Sequence, residues 1–459
     1  MGEIRWRIVA IVPAIFLLTG GLSYCPLSEP AHLKANNKYV ATHGKKSAIV
    51  EATSTNNPAS GDVLIMGGAA TSQASEPLVE FFDPATKKFA SAGFQGGTAG
   101  FTAVEFASPP LAGKILLAAG LSGTASFSTQ GVVTFNTAVP TSAQLYNYSA
   151  GSLTTTGSLI DGRSFATTTL LQNGKVLITG GFDKNGNPLA SAELYDPSTG
   201  TVSLTGTMVS PRGMHTATLL SDGTALLVGG VNDTKGDTVG TAEIYAPTPG
   251  RFTSTHGKLP EGLAAHTATM LLTGKVLIAG GFNFNAPYKF DNSVAAAALY
   301  DPTTQQFNLP AGFPVTARAM HTATLLNDGT VLLAGGLSGT EVRKQEGATF
   351  ELVGADQGGV LNSAEIYDPA SSKFTCVGGG TSNCKGSMAN ARAGHSATIF
   401  ASGAVLLAGG LGAKTSTVNK KVAPLPLATA ELYDPSNGKF TAMANMNSQH
   451  AFHSALLLR

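Results

Sequence analysis

A unit of about 50 residues returns seven times along this 459-residue chain. It reads as an apolar strand, a tight turn, a second apolar strand ending in Gly-Gly, a loop, and Glu-Leu-Tyr-Asp-Pro. Two clear copies are His215-Thr-Ala-Thr-Leu-Leu through Asp222-Gly223 to Gly230 and Glu243-Ile-Tyr-Ala-Pro, and His321-Thr-Ala-Thr-Leu-Leu through Asp328-Gly329 to Gly336 and Glu365-Ile-Tyr-Asp-Pro. A period of this size with four short strands is the signature of a propeller blade. A blade buries its faces only against other blades, so one closed ring accounts for most of the chain despite its length.

The strands are named A to D in order along each unit. A and B join through pairs such as Asn173-Gly174 and Asp328-Gly329, which are strong hairpin signals. Strand B is continuously apolar, as expected of an inner strand covered on both faces. It ends at Gly67-Gly68, Ala119-Gly120, Gly180-Gly181, Gly229-Gly230, Gly280-Gly281, Gly335-Gly336 and Gly409-Gly410. The chain stops inside an A strand at His450 to Arg459, and the first B strand, Val63 to Met66, lacks a good A strand before it. The C-terminal strand is therefore expected to complete the first blade, with Ser47 to Ala52 as its competitor. The expected architecture is all-β: a seven-bladed propeller over 62–459, with 26–61 as a leader and 1–25 as a signal.

That signal has Arg5 and Arg7 before the apolar run Ile8 to Leu18, a secretory pattern, with an uncleaved anchor as the alternative. Cys25 follows in a sequence like a lipoprotein cleavage box, although Tyr24 departs from it, so lipidation of Cys25 is a further possibility. Export predicts a periplasmic, extracellular or envelope-associated protein, and in that setting Cys376 and Cys384 are expected to form a local disulfide. Only 12% of residues are charged and the net charge is +1, which leaves no electrostatic footprint for nucleic acid.

Antiparallel order puts the A–B and C–D turns on one face and the B–C and D–A connections on the other. The B–C loops vary and run long after Gly120, Gly281, Gly336 and Gly410, the longest from Leu337 to Asn362. Long loops on a rigid scaffold are where binding residues usually sit. Arg163, Arg212, Arg318 and Arg392 open strand A at the same face. His215, His321 and His395 follow three residues after an Arg, and His266 and His453 hold that slot without one. The four arginines with His215, His266, His321, His395 and His450 form the candidate binding set at the channel mouth, where arginine forks suit carboxylates, phosphates or sugar hydroxyls. A residue recurring in every blade can equally serve the blade, and for the histidines and for the Glu before strand C the scaffold reading is the stronger.

At its Gly-Gly, Tyr-Asp-Pro and Arg-x-x-His positions the chain resembles the kelch superfamily, in particular secreted bacterial kelch proteins similar to the central domain of galactose oxidase. The resemblance runs from about Asp62 to the C-terminus. It implies a ring closed by a terminal strand and recognition through the B–C and D–A face. It departs from the family at strand D, where Phe89, Phe252, Phe307, Phe374 and Phe440 stand in place of the usual Trp. No catalytic constellation, cofactor site or metal site is apparent. The expectation is a monomeric, non-catalytic scaffold for a protein or glycan, touching membrane only through its N-terminus. The alternative is a carbohydrate-active enzyme of the mutarotase, epimerase or galactose-oxidase type. Asp183-Lys-Asn185-Gly-Asn187 looks like the start of a calcium loop but lacks a closing acid, and is read as a turn.

Overall fold

A computed structural model describes residues 57–459, apart from stretches within 70–77, 96–99, 121–124, 128–131, 136–138, 234–236, 286–288, 339–340, 345–348, 354–358, 380–383, 385–386 and 416–421. The signal segment, Cys25 and the competing Ser47–Ala52 strand lie outside the described residues.

Seven four-stranded antiparallel sheets form the ring, and the described residues contain no helix. Blade 1 takes its A strand from the C-terminus, Ser454–Leu457, which pairs with Val63–Met66 in the register Val63↔Leu457 to Met66↔Ser454. Blades 2 to 7 follow in chain order, with A strands starting at Thr102, Thr167, Thr216, Thr267, Thr322 and Ser396. Joining the two ends of the chain in one blade leaves no open seam between first and last blades.

The core is divided as the repeat requires. Each neighbouring pair of blades shares one apolar cluster; for example Leu177 and Ala192 of blade 3 meet Leu227 and Tyr245 of blade 4. The last cluster joins Val63, Ile65 and Phe82 of blade 1 to Leu406 and Ala408 of blade 7. B strands such as Val176–Thr179 are buried at every position, because both faces of each meet a neighbouring sheet. In five blades the strand-D Phe packs on the strand-C aromatic, as in Tyr245–Phe252 at 4.8 Å and Tyr367–Phe374 at 4.8 Å between ring centroids. Phe thus fills the strand-D place for which the resemblance led one to expect Trp.

The Gly-Gly pairs end each B strand with both residues at positive φ, 64° and 101° at Gly229 and Gly230. A Cβ on Gly229 would stand 2.4 Å from the Leu263 carbonyl oxygen and 2.8 Å from the His266 Cε1 of the next blade. Gly229→Ala is therefore expected to cost about 2–4 kcal/mol, from left-handed strain plus overpacking, seen as a lowered urea midpoint. Blade 2 shows how the position tolerates a side chain. Ala119 stands there at φ 64°, and the following blade has Ala166 where others have His.

The B–C connections carry additional strands. Phe282–Asn285 pairs with Lys289–Ser293 in blade 5, and Leu411–Thr415 with Val422–Pro426 in blade 7. In blade 2 Ala125–Phe127 pairs with Val132–Phe135, and in blade 6 Glu341–Lys344 pairs with Thr349–Val353. The last two hairpins join through Thr349–Val353 and Val132–Phe135 into one four-stranded sheet. Blades 2 and 6 stand nearly opposite each other on the ring, so this sheet reaches across the face.

Candidate functional site

The four arginines do not line the mouth. Arg163, Arg212, Arg318 and Arg392 are fully buried in the blade wall. Each pairs with the strand-C glutamate of its own blade: Arg212 with Glu243 at 2.7 Å, Arg318 with Glu365 at 2.6 Å, Arg392 with Glu431 at 2.9 Å, and Arg163 with Glu193. Each also donates to the first residue of the Gly-Gly pair, as Arg318 Nη1 does to the Gly335 carbonyl at 2.6 Å. The glutamate in turn accepts two backbone N–H groups from the D–A connection; Glu365 takes those of Val315 and Thr316. Burial pulls the pKa values of Arg212, Arg318 and Arg392 below the usual arginine range, while the facing glutamate pushes them back up. The expectation of arginine forks offered to a ligand is corrected on this point: the forks are occupied by the scaffold.

The chain serves as its own comparison here. Blade 5 has Leu263 in the arginine slot and Ala298 in the glutamate slot. It also has Pro260, which carries no N–H, where other blades donate to the glutamate. Charge, counter-charge and one of the two donors have gone together, so neither charge is left buried without its partner. In blade 1 the arginine slot holds His450, also fully buried. Its Nδ1 lies 2.8 Å from the Gly67 carbonyl and its Nε2 3.1 Å from Glu80. Burial pushes the Glu80 carboxyl upward, but bonds from His450, Asn447 and Ser448 outweigh it and its pKa is lowered. His450 thus belongs to the wall and not to the mouth.

His215, His266, His321, His395 and His453 do reach the mouth, and each is tied to the blade before it. Their Nε2 atoms meet the first hydroxyl of the preceding A strand: Thr167 at 3.1 Å, Thr216 at 2.9 Å, Thr267 at 3.0 Å, Thr322 at 3.0 Å and Ser396 at 2.8 Å. The Nδ1 atoms of His215 and His266 face the carbonyls of Arg212 and Leu263 without reaching good hydrogen-bond geometry. Burial, followed by the nearby Arg212, pushes His215 down to about 3. Burial also pushes His266 down to about 4, and His321, His395 and His453 well below the usual histidine value. With these shifts the histidines are uncharged at neutral pH.

Between the arginine and histidine slots lies a position the sequence reading passed over. Gly100, Phe165, Met214, Ala265, Met320, Gly394 and Phe452 all have φ between 50° and 65°. The N–H of each donates to the carbonyl of its counterpart in the preceding blade, from Phe165 to Gly100 at 3.3 Å, through Gly394 to Met320 at 2.8 Å, to Gly100 onto Phe452 at 3.0 Å. Seven backbone bonds thus close a belt around the axis. Two of the seven positions are glycine, and the next residue in the belt is then Phe; a Cβ on Gly394 would meet the Phe452 ring at 2.6 Å.

The belt and the histidines line an open cavity of about 330 Å³ on the B–C/D–A face. Cys376 and Cys384 are joined in a disulfide at the end of strand D of blade 6. Asp183 accepts the N–H groups of Asn185 and Asn187, so that segment is a turn closed by its own carboxylate. Among the described residues no group of three or more His, Cys, Asp or Glu is placed to hold a metal ion.

Ring, repeat and wall define a seven-bladed β-propeller. Residues 166–208 match the kelch motif model, within blade 3 and its exit toward blade 4. No curated protein matches the chain. A solved structure titled "Structure of YjhT" is similar at 14% identity and a TM-score of 0.48, covering 75% of this chain and 97% of that one. Neither match bears on the resemblance to galactose oxidase in particular.

Proposed function

We propose that this kelch propeller is an exported, non-catalytic binding scaffold that presents its B–C/D–A face to a protein or glycan. One observation carries the reading. The A–B and C–D turns are short and alike, whereas the B–C connections of blades 2, 5, 6 and 7 are extended into hairpins, two of which pair across the ring. A rigid ring bearing elaborated loops on one face fits recognition. With the arginines committed to the wall, the loops are what remains to set specificity. The apolar N-terminal run after Arg5 and Arg7 supports export.

Shortening the blade-6 connection, by replacing residues 341–353 with a Gly-Ser turn, is expected to abolish partner capture from cell envelope and culture medium while leaving the melting temperature near that of wild type. Equal capture by the trimmed protein contradicts the assignment of the face. Binding on a glycan array, lost in the same variant, identifies the ligand as a glycan.

A further inference from the structure

The cavity at the axis has a chemistry of its own. Its volume of about 330 Å³ lies at the lower end of small-molecule sites, which run from about 300 to 1,000 Å³. Among the described residues no Asp, Glu, Lys or Arg lines it. The arginines that open the A strands beside it are each held in the wall by a glutamate. The belt N–H groups, which might have cradled an anion, are bonded to neighbouring carbonyls. What the cavity offers is Phe165 and Phe452, Met214 and Met320, Ala265, and the edges of uncharged imidazoles. These belt side chains are only partly buried, so their apolar surface stands open to the cavity.

We propose that this cavity is a binding site for an uncharged small molecule carrying an aromatic ring. Phenylalanine rings stack or meet edge-to-face with such a group, and thioethers make favourable contacts with its rim. Burying the ring removes apolar surface on both partners from water. The occupant is a small molecule because a space of about 330 Å³ has room for nothing larger. The inference concerns the rigid ring and does not depend on the loops: trimming residues 341–353 tests the macromolecular reading, and altering the cavity tests this one.

The chain supplies a cavity-filling variant. Phe already occupies the belt position at 165 and 452 with φ of 50° and 57°, so Ala265→Phe, at φ 53°, asks nothing new of the backbone; with Met214 and not glycine before it in the belt, its ring cannot lie over that neighbour as those two do and is expected to turn into the cavity. The probe is N-phenyl-1-naphthylamine, an uncharged aryl amine whose fluorescence rises in apolar surroundings. Wild type is expected to bind one equivalent saturably, and Ala265→Phe to bind at least tenfold more weakly with an unchanged circular dichroism spectrum. Met214→Glu, which places a carboxylate in the lining without filling it, is expected to weaken binding to the same degree. The sulfonated relative 8-anilinonaphthalene-1-sulfonate is expected to bind wild type at least tenfold more weakly than the neutral probe. Absence of saturable binding to wild type overturns the proposal, as does stronger binding of the sulfonate. Unchanged affinity in folded Ala265→Phe overturns it too; if that variant does not fold, unchanged affinity in Met214→Glu does so.

Discussion

Arg318→Ala is expected to lower folding stability by about 3–5 kcal/mol, because it leaves the fully buried Glu365 without its counter-charge. The same loss is expected at Arg212 and Arg392, whose partners Glu243 and Glu431 are equally enclosed. A mouth arginine facing solvent would give a small effect instead. Blade 5 supplies the control. Its Leu263, Ala298 and Pro260 remove cation, anion and one of the two donors together. Copying that solution into blade 6 as Val315→Pro, Arg318→Leu and Glu365→Ala is expected to recover most of the loss, ending within about 2 kcal/mol of wild type. Urea unfolding of the single and triple variants measures both quantities. A single variant as stable as wild type would contradict the buried-pair reading, and a triple variant worse than the single would contradict the analogy with blade 5.

Acid is expected to unfold the ring over a narrow interval just below neutrality. His215, His266, His321 and His395 are enclosed and held neutral, with folded pKa values lowered to about 3, to about 4, and well below the usual value for the last two. In the unfolded chain each titrates near 6.5. A lowered folded pKa means that the unfolded state binds more protons, so stability rises with pH. The contribution is complete above about pH 6.5 and falls away as pH drops toward the folded values. Each histidine contributes about 1.4 kcal/mol per pH unit, so four give a slope of about 5–6 kcal/mol per unit. That slope consumes an ordinary domain stability of about 5–15 kcal/mol within one to three units. His453 shares the downward shift but is partly open to the cavity and adds less. Urea midpoints measured from pH 8 to pH 5 test this. A steep decline that becomes shallower by about one proton in His321→Gln agrees with it; a flat profile between pH 7 and 5 contradicts it.

How much of this was open to reading depended on what each position shares between blades. The strands, the Gly-Gly ends and the closing role of Ser454–Leu457 rest on patterns of side-chain type that recur, so they were legible. The arginines were legible as a ring but not in their direction. An arginine opening an inner strand can turn toward the channel or back into the wall, and periodicity does not separate the two. A signal that separates them was present and was not used: Arg and Glu are kept together in four blades and lost together in blade 5. The belt was illegible for a different reason. Gly100, Phe165, Met214, Ala265, Met320, Gly394 and Phe452 share no side-chain chemistry, because what they share is a backbone conformation and the N–H and carbonyl that every such residue carries. The pairing of the blade-2 and blade-6 hairpins is likewise a matter of loops meeting across the ring, which no local pattern announces.

The fold thus commits its repeated arginines and glutamates to the wall and leaves recognition to the loops and the cavity. Arginine modification by phenylglyoxal on the folded protein, read by peptide mass spectrometry, tests that division most directly. Arg251 is exposed and is expected to react at once, while Arg163, Arg212, Arg318 and Arg392 stay protected until the chain is unfolded. Reaction of those four at the rate of Arg251 would place them in the mouth and contradict the buried wall.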